Sequence, residues 1–294
     1  MTLTDYLQCA ATRLDAAGVA YGHGTTNAFD EAAWLALWRL GLPLDALDDA
    51  AGRTLAPAEI ASLDALIATR IATRRPAAYL TGEAWLQGVP FFVDDRVIVP
   101  RSLIAEVLAD GLIDPWLPDD AARVLDLCTG NGSLAVLAAM AWPEMAIDAA
   151  DLSADALAVA ATNVARHALG AQIALHQGDG LAAVPGQCYD LILCNPPYVN
   201  QASMAALPPE FRAEPALALA GGTDGMDFIR SLLAQAADHL SANAVLVLEI
   251  GHERAHFEAA FPRLEVAWLP TQWHDDGVLL ATRAALAATA GAAA

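Results

Sequence analysis

From Arg123 onward the chain alternates short apolar runs with helix-like stretches, and this rhythm constrains the fold more than any other feature. RVLDLC (123–128), AIDAAD (146–151), QIALHQ (172–177), YDLILC (189–194) and AVLVLEIG (244–251) read as strands. SLAVLAAMA (133–141) and ADALAVAATNVARHAL (154–169), which separate the first three, read as helices. Strands joined through a helix run parallel, because only a long crossover returns the chain to the same end of a sheet. The expected class is therefore α/β, with a doubly wound, Rossmann-like parallel sheet. Two further pieces, LEVAWL (264–269) and GVLLATR (277–283), are separated by too short a link for a crossover, so this last pair is expected to be antiparallel.

The part before this rhythm has a different period. Leu3, Leu7, Ala10 and Leu14 recur at helical spacing and Gly18 follows as a stop. Trp34, Leu37 and Trp38 mark a second helix ending at Gly41, with both tryptophans read as core. Pro57 stands at a first helical position, and Pro76 closes that helix. AWLQGVPFFV (84–93) reads as a hairpin around Gly88, followed by VIVPRS and a short helix, LIAEVLADGL (103–112). The expected organisation is a helical domain over 1–75, a hairpin and linker over 76–112, and the α/β domain over 113–294. The Ala-rich end after Arg283 reads as a frayed tail.

Composition narrows the partners. The 294 residues include 15 Lys plus Arg against 35 Asp plus Glu, a formal charge of -20. Such a surface repels polyanions, so no direct nucleic-acid binding is expected, and a basic partner is favoured. Cys9, Cys128, Cys188 and Cys194 form no Cys-x-x-Cys pair and no zinc signature, so no metal site is expected. The opening MTLTDYLQCAATRLD carries acid and lacks the order of a signal peptide, and no apolar run approaches a membrane span. A reduced, cytoplasmic protein without membrane contact is the expectation.

Two loops carry the chemistry. Asp126-Leu-Cys-Thr-Gly-Asn-Gly132 follows the first strand of the α/β part and opens a helix. Gly130 and Gly132 let a ligand lie against the backbone, and the amides of the next helix point toward it. Cys128, Thr129 and Asn131 complete that wall. Asp151 ends the next strand, where a carboxylate can accept two hydrogen bonds from a ribose diol. Asp179, in Gly178-Asp179-Gly180, can meet the amino edge of an adenine. The Gly-x-Gly-x-x-Gly order of nicotinamide enzymes is absent.

The second loop is Asn195-Pro196-Pro197-Tyr198, at the end of the fourth strand. Two prolines stiffen it and remove two N–H donors. The Asn195 side-chain carbonyl and the Pro196 backbone carbonyl together can accept both hydrogens of a planar –NH₂, on which Tyr198 can stack. An amide or aromatic amine has a delocalised lone pair and needs orientation rather than a base. Amino groups of adenine, guanine and glutamine all meet this description.

Asp126-x-Cys-x-Gly-x-Gly resembles the first motif of class I methyltransferases, with Cys128 where glycine is usual. From about Pro76 onward the chain resembles the HemK-type protein glutamine N-methyltransferases, through Ala78-Tyr-Leu-Thr-Gly82, Phe92-Val93 and Val99-Pro-Arg101. The resemblance implies S-adenosylmethionine as methyl donor, bound by Asp126, Cys128, Thr129, Gly130, Asn131, Gly132, Asp151, Asp179, Gly180 and Asn195. It also implies a substrate-binding role for the N-terminal helices. One branch of the family acts on release factors and the other on large-subunit ribosomal protein L three. Arg101-Ser-Leu-Ile-Ala-Glu106, Leu125-Asp-Leu-Cys-Thr-Gly130, Leu207-Pro-Pro-Glu-Phe-Arg212, Glu214-Pro-Ala216 and Asp276-Gly-Val278 resemble the ribosomal branch. Leu103 stands where that branch has proline, and Asn131 and Cys194 where serine is common. Glu210, Glu214 and Asp224 are expected to form an acidic lip for a basic ribosomal protein. The competing readings are glutamine methylation of release factors, a nucleic-acid amino methyltransferase, and a non-catalytic assembly factor.

Overall fold

The computed structural model describes residues 1–272 and 275–291. The N-terminal helices are α1 (Leu3–Ala16), α2 (Ala28–Leu40), α3 (Leu47–Ala50) and α4 (Pro57–Thr73). Thr2 caps α1 by accepting from the Asp5 amide, and α1 buries Leu3, Leu7, Ala10 and Leu14, the stripe expected from the spacing. Gly41 ends α2 in the left-handed conformation, and Pro57 opens α4. A one-turn helix, α5 (Ala77–Thr81), follows Pro76 where the sequence suggests only a linker. Pro76 ends one helix but stands as the cap of the next, where its missing N–H costs nothing. Strands β1 (Glu83–Leu86) and β2 (Val89–Phe92) form the hairpin, and α6 (Ile104–Ala109) follows.

The α/β part runs β3 (Arg123–Leu127), α7 (Ser133–Ala141), β4 (Ala146–Asp151), α8 (Ala154–Arg166), β5 (Ile173–Gln177) and β6 (Tyr189–Cys194). It continues with α9 (Gln201–Ala206), α10 (Pro209–Arg212), α11 (Asp227–Gln235), β7 (Leu240–Glu249), α12 (Arg254–Ala260), β8 (Ala267–Leu269), β9 (Val278–Thr282) and α13 (Arg283–Gly291). The sheet has the order β5-β4-β3-β6-β7-β9-β8, with the first five strands parallel. Strand β9 runs antiparallel to both β7 and β8, as the short link requires. The chain winds outward from β3 to β5 and then returns to lay β6 on the other side of β3. The loops after β3 and β6 therefore diverge at the switch point, and Leu127 pairs with Cys194 to bring them level.

Through Gly291 the structure holds a helix in place of the frayed tail expected after Arg283, and 292–294 lie outside the described residues. Alanines carry strong helix propensity, and α13 gains a tertiary anchor: Leu286 is buried, and the Arg283 Nε donates to the Ala237 carbonyl at 3.1 Å. Helix α11 was also not foreseen. It packs Ile229, Leu232 and Leu233 against the same side of the sheet.

The N-terminal helices share a core with the hairpin and with Ala156 and Val159 of α8. Asn163 of α8 is fully buried and stitches this junction. Its amide accepts from the Phe92 N–H (2.7 Å) and donates to the Phe92 carbonyl (3.0 Å) and the Asn131 carbonyl (2.8 Å). A second junction is ionic. Arg70 of α4, wholly buried, contacts Glu31 of α2 (2.8 Å), the Ala20 carbonyl (3.1 Å) and Glu210 of α10 (3.4 Å). Arg74 approaches Glu210 at 2.9 Å. Nearby, Glu214 accepts from both Arg101 nitrogens (2.6 and 2.7 Å) and from the Val99 N–H (2.9 Å), with His23 Nε2 at 3.5 Å. Burial raises the Glu214 carboxyl, but the His23 ring and the Arg101 guanidinium outweigh it and hold it at about 2.

These contacts correct the expected acidic lip. Glu210 is fully buried and Glu214 is 4 % exposed. Both are spent on the protein's own cations, because the segment that carries them folds back onto the helical part. Asp224 is exposed to a greater extent but pairs with Arg230. Substituting Arg70→Met keeps most of the side-chain volume while leaving Glu31 and Glu210 buried without this guanidinium. The expected loss is about 3–5 kcal/mol of unfolding free energy, read as a lower urea midpoint at an unchanged slope. An unchanged midpoint would remove the node as a structural anchor.

Candidate active site

A cleft opens over the carboxyl ends of β3, β4 and β6. Its floor is Leu127–Asn131, its far side Asp151–Ser153 and Gly178–Gly180, and Asn195 and Pro197 close the near side. Arg96–Val97 and Arg101 from the stretch after the hairpin, with Pro215, Leu217 and Ala218 from the segment after α10, complete the walls. Of the residues picked out from the sequence, Cys128, Thr129, Gly130, Asn131, Asp151, Asp179, Gly180, Asn195 and Pro197 line this space. Asp126, Gly132, Pro196 and Tyr198 do not.

The departures have physical causes. Asp126 points beneath the loop, fully buried. Its Oδ2 accepts from the Thr129 hydroxyl and, at 3.0 Å, from the Ala135 N–H in the first turn of α7. Burial lifts its carboxyl to about 7, against the opposing pull of those bonds. It thereby braces the loop and the start of α7 through Oδ2, while its Oδ1 has no hydrogen-bond partner among the described residues. Gly132 sits at the mouth of α7, with a φ of 80°, against Ala160 of α8. The two prolines of the catalytic loop turn the chain back into the protein after Asn195. The Tyr198 ring consequently lies against Gly251, and its hydroxyl donates to Glu249 Oε1 at 3.1 Å.

Asp151 is held ready. Its Oδ2 accepts from the Gly130 N–H and its Oδ1 from the Ser153 N–H, both at 2.9 Å. Burial raises the carboxyl despite these bonds. Gly130 has a φ of 57° with open space where a Cβ would stand. Asn131 is buried, its Oδ1 accepts from the Ser133 N–H, and its Nδ2 has no hydrogen-bond partner. A buried amide donor without a partner beside a cleft suits a carboxylate-bearing ligand. The donors and acceptors thus fit an amino-acid nucleoside: an acceptor for a diol in Asp151, a further acceptor in Asp179 on the same side, and a donor for a carboxylate in Asn131. The Asn195 side chain makes no hydrogen bond to any described residue, so its carbonyl is free to face the cleft.

Cys128 adopts a φ of 61°, the left-handed region. This explains why glycine is usual at its position and shows that the loop keeps its shape at the expense of backbone strain. Its neighbour Cys194, at the end of β6, is fully buried. Sequence reasoning did not single out Arg101, Asn163, Glu214 or Glu249 for the roles they have here, because their partners lie far away along the chain. Left-handed geometry costs a non-glycine residue about 1–2 kcal/mol, partly offset in glycine by its greater loss of backbone freedom. Stability is therefore expected to fall in the order Cys128→Gly, native, Cys128→Val. Thermal unfolding of the three proteins checks this, and a Val variant as stable as the native chain would show the strain to be negligible.

Comparison with known proteins shows the family and the fold. The family model described as methyltransferase small domain matches residues 105–222. The ribosomal protein uL3 glutamine methyltransferase of Bordetella pertussis (strain Tohama I) is 57 % identical over 96 % of this chain and 95 % of its own. The protein of the same name from Burkholderia pseudomallei (strain K96243) is 51 % identical, covering 99 % of this chain and 97 % of its own. That from Bradyrhizobium diazoefficiens is 46 % identical, covering 92 % and 88 %. Among solved structures, the hMettl16 catalytic domain in complex with MAT2A 3'UTR hairpin 6 superposes with a TM-score of 0.50 at 13 % identity, covering 74 % of this chain and 81 % of that one, a likeness of fold alone. With such identity over nearly its whole length, the chain belongs to the family of ribosomal protein uL3 glutamine methyltransferases.

Proposed function

We propose that this chain transfers the methyl group of S-adenosylmethionine to the side-chain amide nitrogen of a glutamine in ribosomal protein uL3. The observation that carries the reading is Asn195. It follows the last residue of β6 beside the glycine loop, lines the cleft and has a side-chain amide bonded to no described residue. S-adenosylmethionine supplies an electrophilic methyl on a sulfonium centre. The remaining work belongs to the protein's own groups.

Asp151 would accept from the ribose hydroxyls, Asp179 from the adenine amino group, and Asn131 would donate to the carboxylate. The Asn195 carbonyl and the Pro196 backbone carbonyl would accept the two hydrogens of the glutamine –NH₂. Among the described residues no backbone N–H is directed at the Pro196 carbonyl. Holding both N–H bonds turns the nitrogen lone pair out of conjugation with the amide carbonyl. As the methyl arrives the nitrogen becomes positive and its hydrogens more acidic, so both acceptors bind the transition state more tightly than the ground state. The departing proton needs no dedicated base, since the methylated nitrogen is strongly acidic at that moment.

The choice of uL3 rests on the relatives' names and on charge. A net charge of -20 attracts a basic polypeptide and repels RNA or DNA. Release factors offer the same amide chemistry and are the alternative. Purified protein, S-adenosylmethionine and equal amounts of uL3 and release factor decide between them, with mass spectrometry locating the added methyl. A methyl on a uL3 glutamine is expected. One found only on release factor would move the assignment within the same chemistry, and one on an RNA base would overturn it.

Two variants test the site. A hydrogen bond to a charged group contributes about 1.5–3 kcal/mol, so Asp151→Ala should weaken S-adenosylmethionine binding at least about tenfold in calorimetry. Unchanged affinity would take Asp151 out of the site. Asn195→Ala should leave that affinity largely intact while lowering single-turnover methyl transfer on the order of 10²–10³-fold. A loss below about tenfold would end the orienting role given to Asn195.

A further inference from the structure

Glu249 ends β7 inside the protein, 3 % exposed, and among the described residues no cation is paired with it. Three donors from two distant chain segments converge on its carboxylate. The Ser102 hydroxyl donates to Oε2 at 2.5 Å, the Leu103 N–H donates to Oε2 at 2.9 Å, and the Tyr198 hydroxyl donates to Oε1 at 3.1 Å. All three partners are donors, which matches an acceptor-only carboxylate. Burying a carboxylate is costly, and a well-packed apolar residue would serve bulk stability as well or better. What the carboxylate adds is direction: hydrogen bonds to a charged acceptor are shorter and stronger than neutral ones.

Tyr198 is the last residue of the Asn195-Pro196-Pro197-Tyr198 loop, and a second feature shapes its seat. Gly251, two residues beyond Glu249, has a φ of 54°, and a Cβ there would stand 2.6 Å from the Tyr198 ring. Between Asn195 and Tyr198 the torsions at Pro196 and Pro197 are restricted by their rings. A displacement of Tyr198 is therefore passed to Asn195 instead of being absorbed between them. Asn200, just beyond, is tied in the same way, donating to Glu253 Oε1 at 2.6 Å.

We propose that Glu249 is a positioning residue for methyl transfer: by anchoring the Tyr198 hydroxyl to Ser102 and Leu103, it fixes where the Asn195 carbonyl faces the acceptor nitrogen. The proposal rests on the amide-methylation reading of Asn195. Glu249 touches neither substrate nor methyl donor. Its effect falls on the step that depends on the aim of Asn195, and not on binding of the donor at Asp151.

Glu249→Ala, Glu249→Gln and Tyr198→Phe separate this from a merely structural role. Misplacement of a reacting group by about 1 Å costs on the order of 10²-fold in rate. The Ala variant should lose kcat on that scale, with the KM for uL3 and the calorimetric affinity for S-adenosylmethionine little changed. The Gln variant can still accept from Ser102 and Leu103 through its carbonyl and donate to the Tyr198 oxygen, so it should recover most of the rate. Tyr198→Phe, which removes one oxygen and leaves Glu249 satisfied by its other donors, should reproduce much of the Ala defect, and the double variant should be no worse than the single ones. Hydrogen exchange at Tyr198, Val199 and Asn200, which requires no turnover, should quicken in both Glu249→Ala and Tyr198→Phe. Unchanged exchange in these variants overturns the proposal even if uL3 proves not to be the substrate. So does native kcat in the Ala variant, or a folded Gln variant as slow as Ala. Absence of uL3 methylation by the native protein, with the exchange effect present, would instead overturn the substrate reading alone.

Discussion

The site depends on carboxylates that the protein has turned inward. Glu210 and Glu214 lie on the segment that follows the Asn195–Tyr198 loop, and each is met by arginines from a distant part of the chain: Arg70 of α4 and Arg74 just beyond it in one case, Arg101 in the other. Without these pairs, Pro215, Leu217 and Ala218 would have little to fix them as a wall of the cleft. Buried ion pairs add little net stability, because desolvation consumes most of the Coulombic gain. They do impose register, since a misplaced segment would strand several charges in a dry interior. The helical part is therefore a structural member of the cleft: its charges determine where one wall stands.

The sheet contributes a complementary constraint. Reversal of the strand order between β3 and β6 opens a crevice by topology alone, and pairing of Leu127 with Cys194 sets the two loops at the same height. The loop after β3 is held from below by Asp126, from the side by Asn163 and from the front by Asp151. Three independent anchors explain how the left-handed Cys128 is tolerated. A single strained residue is affordable where the surroundings leave the backbone no other course.

Much of this was legible because it repeats locally. Strand–helix alternation, the glycines before α7 and the acid ending β4 are all signals within a short window, and the element bounds from β3 to β6 follow the apolar runs closely. The antiparallel β9 followed from link length alone. Other features were not legible because their meaning lies in a partner far along the chain. Asn163 bonds to Phe92 across 71 positions, Glu214 to Val99 across 115, and Ser102 to Glu249 across 147. From sequence, Glu210 and Glu214 look like surface acids near a catalytic loop, since charge gives no indication of burial until the cations facing it are known. The seat of Tyr198 was hidden for a related reason: its hydroxyl is held by Glu249 across 51 positions, and its ring lies in a socket at Gly251.

With the expected lip accounted for internally, attraction of a basic substrate falls to the molecule as a whole. A formal net charge of -20 acts at long range, but salt screens it over about 8 Å at physiological ionic strength. Such a field raises the frequency of encounter without distinguishing one basic protein from another. Discrimination must then come from shape: from whether a glutamine can extend between Asn195 and the wall carrying Pro215 and Leu217 while the rest of its chain clears Arg96 and Arg101. That wall is set by the buried ion pairs and the near side by the Asn195–Tyr198 loop. On the proposed reading both sides of the cleft are held by inward-facing carboxylates, none of which needs to touch the substrate.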